Sequence, residues 1–170
     1  KIPGHVINSN VKGKGNALKT AFSEIDADYY IVADADLTYP AKFSVKMLQI
    51  AKDDKFDIVV GDRLSNGSYL KENKRKFHMF GNHLVRSFIN FIFSSNIIDP
   101  MSGFRVLSKK FVKNYPIVVK GFEIESDMTM HALDKSYSLY EYPIDYLDRP
   151  SGSVSKLDTF SDGCRVVLTI

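Results

Sequence analysis

Residues 28–40 read DYYIVADADLTYP. The apolar run Tyr29-Tyr30-Ile31-Val32-Ala33 ends on two carboxylates, Asp34 and Asp36, with one small residue between them. The run predicts a buried strand. Burying an unpaired carboxylate is costly, so the pair belongs at the strand's exit, within reach of water or a cation. In extended backbone, side chains two apart point the same way. Two carboxylates so placed suit a hard divalent cation, Mg²⁺ or Mn²⁺, which such sites hold through one or two carboxylates plus substrate phosphates. A solvated acidic turn carries the same Asp-X-Asp pattern, and the tripeptide alone leaves both readings open.

Outward from this stretch the elements alternate. HVINS (5–9) reads as a short strand, and GNALKTAFSEI (15–25) as a helix with Ala17, Leu18, Ala21, Phe22 and Ile25 on one face. Pro40 stands where a helix starts, with Phe43, Met47, Leu48 and Ile50 following, and FDIVVGD (56–62) gives another strand. Such βαβ alternation predicts an α/β sheet, mixed but mostly parallel, flanked by helices. A polar loop from Gly61 precedes a long helix over about 74–94. GFRVLSKKFV, FEIESDMTMHALDK and SYSLYEYPIDYL then read as a strand leading into a helical turn, a helix and a strand. With no internal repeat and no linker, residues 1–170 form one domain.

The composition, 44% hydrophobic and 25% charged over 170 residues, is that of a globular domain with a real core. Cys164 is the only cysteine, which excludes an internal disulfide and fits a reducing compartment. A net charge of +3 is too small to indicate nucleic acid, and none is expected as a partner. Lys71, Lys74, Arg75 and Lys76 cluster, while acids concentrate around 24–36 and 123–127. The most lipophilic run, Ser87 to Ile98, is shorter than the ~20 residues that span a bilayer. The chain opens without a signal-peptide pattern and stops inside the apolar pattern DGCRVVLTI, which reads as a piece cut at both ends.

Further motifs carry chemistry. VKGKGNAL sets Gly13 and Gly15 before a helix whose first N–H groups could face a phosphate, with Lys12 and Lys14 adding charge; a plain turn is the competing reading. Arg63, after a strand ending on the same sheet edge as Asp34, suits a diphosphate, or else forms a surface ion pair. In DPMSGFR, Asp99 and Arg105 bracket a constrained turn. In GFEIESDM, helical spacing puts Glu123 and Asp127 on one face and points Glu125 elsewhere. Like charges that close hint at a site. DRPSGSVSKL combines Arg149, Lys156 and Ser153 around a glycine, which suits a loop closing on a phosphate or an ordinary exposed loop. His78, His83 and His131 lack acidic partners at metal-ligand spacing. Phe77, Phe80, Leu84, Phe88, Phe91 and Ile92 form one helical stripe, read as core packing or as a membrane-facing surface beside the basic cluster.

Taken in order, NVKGKGNAL, DADLTYP, GDR, DPMSGFR, GFEIESDM and the loop from Asp148 resemble the inverting family 2 glycosyltransferases of the branch that makes dolichyl- or polyprenyl-phosphate sugars, over about Asn10–Ile170. The resemblance implies a GT-A fold truncated at its N-terminus, where such enzymes carry a further nucleotide-binding strand and helix. It implies Mg²⁺ or Mn²⁺ at Asp34 and Asp36, a nucleotide-sugar donor against Lys14, Arg63 and Arg149, and Asp127 with Asp99 orienting the nucleophile or the sugar. The acceptor implied is a polyprenyl phosphate against Arg105, Lys156 and Ser153. It implies a membrane surface as partner and the cytoplasmic face as location for the whole protein, the present piece being soluble and inactive alone. A sugar-hydroxyl acceptor and a non-catalytic binding scaffold are the alternatives.

Overall fold

The computed structural model describes residues 4–67, 76–121 and 123–147. Among these residues the chain forms α1 (Lys14–Glu24), β1 (Tyr29–Val32), α2 (Lys42–Asp53), β2 (Ile58–Asp62), α3 (Lys76–Phe93), β3 (Arg105–Ser108), α4 (Lys109–Asn114), α5 (Ile124–Asp134) and β4 (Leu139–Pro143). The helices and strands expected from periodicity are present, with one exception. Residues 5–9 form no strand, and Val6 is 87% exposed. A β-strand needs a ladder, and no described strand lies beside this segment.

The sheet order is β1-β3-β2-β4. β3 runs antiparallel to both β1 and β2, and β2 pairs parallel with β4. The expectation of a mostly parallel sheet is therefore corrected for the described residues, where the sheet is mixed and antiparallel pairing leads. The cause is β3, which inserts between β1 and β2 from the opposite direction. Its first residue, Arg105, lies between Val32, the last residue of β1, and Val60, the middle residue of β2. One sheet edge thus collects the carboxyl ends of β1, β2 and β4 and the loop that enters β3.

Side-chain alternation divides the core. Ile58, Val60 and Leu107 face α1, α4 and α5, joining Phe22, Phe111, Val112, Ile124 and Met128. Val59 and Val106 face α2, joining Met47 and Ala51. At roughly 1.5–3 kcal/mol for each fully buried aliphatic side chain, these two layers fix the helices on the sheet. Ser108 caps α4, its hydroxyl accepting from the Phe111 N–H at 3.1 Å. α3 packs through Val85 and Ile89 against Met130 of α5. Of the apolar stripe read either as core packing or as a membrane-facing surface, Leu84, Phe88, Phe91 and Ile92 are exposed, Phe91 to 82%. Among the described residues no helix is long and apolar enough to cross a membrane.

Candidate active site

The start of α1 is pressed onto the segment before α5, and two glycines permit it. Gly13 has φ +125°, and a Cβ there would overlap the carbonyl oxygen of Lys120; one at Gly15 would overlap that of Val119. The Gly15 N–H donates to Lys120 O at 3.1 Å. The glycines of VKGKGNAL thus serve close backbone packing, and one of the first-turn N–H groups that a phosphate could have used is taken.

That packing brings Lys14, the first residue of α1, between acids from two other elements. Its ammonium lies 2.5 Å from Asp34 Oδ1, beyond the end of β1, and pairs also with Glu125 Oε1 on α5. Burial pulls Lys14 down, but the charges of Glu125 and Asp34 outweigh it and hold the ammonium above its ordinary value. Burial pushes Glu125 up, against the pull of Lys14 and Arg105. Gly103 closes the third side: a Cβ there would stand 2.6 Å from Asp34 Oδ2 and 3.0 Å from the Lys14 Nζ. Asp34 keeps about a third of its side chain in contact with solvent. Asp36 Oδ1 accepts from the Thr38 hydroxyl at 2.6 Å and the Thr38 N–H at 3.2 Å, so the second carboxylate is oriented by its own turn.

Arg63 and Asp99 also meet, but in the interior. The guanidinium donates to Asp99 through Nε at 2.7 Å and Nη2 at 2.8 Å, and the Arg63 N–H adds a third bond at 3.1 Å. Asp99 is 1% exposed. The surface ion pair considered for Arg63 from sequence is instead a buried bidentate one, with Asp99 as its partner. Glu141 of β4 holds the same loop, accepting from the N–H groups of Ile98 and Asp99. The Tyr39 hydroxyl accepts from the Gly103 N–H.

Two further expected site residues lie away from solvent or from this cluster. Arg105 shares the face of Leu107 by strand alternation, is fully buried, and spends its donors on Ser102 O at 2.8 Å, Pro100 O at 2.7 Å and Thr129 Oγ1 at 3.0 Å. A guanidinium so placed braces the loop 99–105 and has no open face for an acceptor phosphate. Asp127 lies two residues from Glu125, about 200° around the helix. It accepts from the Tyr115 hydroxyl and lies near His131, which packs among Phe111, Tyr115 and Tyr137. Glu125, which spacing pointed away from its neighbours, is the helix acid that reaches Lys14. Glu123 instead accepts from the backbone N–H groups of Lys120 and Gly121. Arg149, Ser153 and Lys156 lie outside the described residues.

Oxygen ligands alone, from Asp34 and Asp36, suit a hard divalent ion, and Asp34 Oδ1 already binds a cation in the form of Lys14. Among the described residues no group of three or more His, Cys, Asp or Glu side chains gathers around a common metal position. Asp34 and Asp36 are the carboxylates that would hold such an ion, its other ligands coming from phosphate and water.

The model of the family described as Glycosyl transferase family 2 matches residues 2–115. The chain belongs to glycosyl transferase family 2. Of curated relatives, the low-salt glycan biosynthesis hexosyltransferase Agl6 of Haloferax volcanii is 32% identical over 163 residues, 95% of this chain and 39% of its own length. Glycosyltransferase AglJ of the same organism is 29% identical, covering 98% and 54%. A dolichyl-phosphate hexose transferase, also of Haloferax volcanii, is 24% identical, covering 98% and 70%. The chain thus spans between two fifths and about half of the first two relatives. A solved structure of glucosyl-3-phosphoglycerate synthase from Mycobacterium tuberculosis, with Mn²⁺, uridine diphosphate and phosphoglyceric acid, superposes with a TM-score of 0.71 at 15% identity, over 96% of this chain and 54% of that one. That likeness gives the family 2 chain a GT-A-like α/β fold.

Proposed function

We propose that the protein transfers a hexose from a nucleoside-diphosphate sugar to a polyprenyl phosphate, with inversion at the anomeric carbon. The observation that carries the donor half is the cluster of Lys14, Asp34 and Glu125 at the carboxyl edge of the sheet, where open α/β folds bind ligands, with Asp36 in the turn that follows Asp34. Asp34 and Asp36 would hold the divalent ion, which when bound neutralises the diphosphate leaving group. Lys14 offers a second positive charge to the same phosphates. Glu125 keeps that ammonium in place, and Arg63 with Asp99 and Arg105 keep the surrounding loops rigid.

In the transfer, an acceptor phosphate oxygen forms the new bond to the anomeric carbon from the face opposite the donor diphosphate, and the bond to that diphosphate breaks. A phosphate monoester carries nearly two charges at neutral pH, so no side chain has to remove its proton. This reading gives Asp127 no catalytic duty and assigns the closing of the phosphate site to Arg149, Ser153 and Lys156, on sequence grounds. The lipid acceptor is supported by the dolichyl-phosphate hexose transferase among the relatives. It is also supported by the exposed Leu84, Phe88, Phe91 and Ile92 of α3, preceded in sequence by the basic residues Lys71, Lys74, Arg75 and Lys76.

The test is an assay of the full-length protein with a panel of nucleotide sugars, Mn²⁺, and either polyprenyl phosphate or a sugar alcohol as acceptor. Product on the lipid phosphate, lost in Asp34→Asn, is expected. Product only on a hydroxyl acceptor refutes the acceptor, and donor binding without turnover under any condition points to a scaffold. Flotation with anionic vesicles should weaken at least tenfold in the Phe88→Asp/Phe91→Asp variant, given about 1.5–3 kcal/mol per buried ring. Unchanged flotation would remove α3 from the membrane surface.

A further inference from the structure

Lys14 stands where a cation would stand. Its ammonium is held by Asp34 from the end of β1 and by Glu125 from α5, and Gly103 leaves no room beside it for even a methyl group. We propose that Lys14 is a built-in competitor of the divalent ion at Asp34, neutralising Asp34 and Glu125 in the metal-free protein and ceding Asp34 when the metal binds. This rests on the reading of Asp34 and Asp36 as metal ligands.

Three features support it. Glu125 is 6% exposed, so without metal it needs a nearby positive charge, and Lys14 is the ammonium paired with it. The backbone of Lys14 is fixed by the packing of Gly13 and Gly15 on residues 119–120, so only its flexible four-carbon stem can move. Finally, an ammonium and a divalent ion on the same carboxylate oxygen repel strongly at about 4 Å, even at an effective dielectric constant near ~20. One of them must leave Asp34 Oδ1. Because Lys14 also holds Glu125, it can withdraw there and keep its charge at the site. The metal alone should therefore bind weakly, and the negative diphosphate of the donor should restore affinity by satisfying both cations at once.

The experiment measures Mn²⁺ binding to the full-length protein by electron paramagnetic resonance, without donor and without turnover. Lys14→Met should bind Mn²⁺ about tenfold or more tightly than wild type, and Lys14→Arg, which keeps the charge, should stay near wild type. Since Lys14→Met leaves Glu125 buried without its ammonium, Lys14→Met/Glu125→Gln provides a variant without that unpaired acid, and it too should bind more tightly than wild type. If wild type binds Mn²⁺ and loses it in Asp34→Asn, yet both lysine-to-methionine variants bind no more tightly, the competition is overturned and the metal reading stands. If no variant binds Mn²⁺ with or without the nucleotide, the metal reading falls and the competition with it.

Discussion

Replacing Arg105 by alanine separates a brace from a ligand. In the structure the guanidinium is fully buried and donates to Ser102 O, Pro100 O and Thr129 Oγ1, while burial pulls its pKa down against the opposing charges of Glu125 and Asp99. Truncation strands the Ser102 carbonyl. Pro100 O lies 3.2 Å from the Thr129 hydroxyl, whose single proton it shares with Glu125 O at 3.1 Å. Hydrogen bonds from a charged donor are worth about 1.5–3 kcal/mol each, and removing one partner of a buried charge set costs about 3–5 kcal/mol. At roughly 2–4 °C per kcal/mol for a chain of this size, the melting temperature of Arg105→Ala should fall by about 10 °C or more. Arg105→Lys should fall less, since it keeps the charge but not the fork of donors. Thermal unfolding followed by circular dichroism, alongside kinetics at a temperature where the variant is folded, decides the matter. A melting temperature within about 2 °C of wild type, with a raised KM for the acceptor phosphate, would refute the bracing role and return Arg105 to the acceptor site.

Gly103→Ala should fold but lose Mn²⁺ and donor affinity, because its Cβ would press within 2.6 Å of Asp34 Oδ2; unchanged metal titration would contradict the crowding. Asp127→Asn should keep activity within about tenfold of wild type, far from the 10²–10⁴ loss expected for a missing general base. The same variant has a stability signature. Burial raises Asp127 above its ordinary 3.8, opposed by Tyr115 and His131, so the native state holds the proton more tightly than the unfolded chain. Its contribution is full below 3.8 and is lost as pH rises through the native value. Urea unfolding across pH should show wild type losing stability relative to Asp127→Asn as pH rises from that window, and a constant difference would contradict the assigned burial.

Much of the fold was legible because its signals are local. The helices α1, α2 and α5 and the strands β1 to β4 follow from apolar periodicity, and Asp34 and Asp36 stand out because charges end an apolar run. Strand pairing depends on residues far apart in the chain. Arg105 lies beside Val32 and Val60, and no local pattern says that β3 enters between them from the opposite direction. On α3 both faces are apolar: Val85 and Ile89 are buried, while Leu84 and Phe88 are exposed, so periodicity alone could not choose the core side.

The candidate site divides the same way. Sequence by itself determined that Asp34 and Asp36 leave a strand together, that Gly13 and Gly15 mark an unusual backbone, and that Glu125 and Asp127 occupy opposite sides of one helix. Only the tertiary structure decided which acid faces Lys14. That choice is made where α1 docks against the segment before α5, through glycines whose missing Cβ atoms let two backbones touch. Helical spacing fixes the angle between two side chains, but the direction of either one is set by what the helix packs against. The tertiary structure also buries Arg105, which the resemblance set against an acceptor phosphate, because alternation along β3 places it on the face that α5 covers.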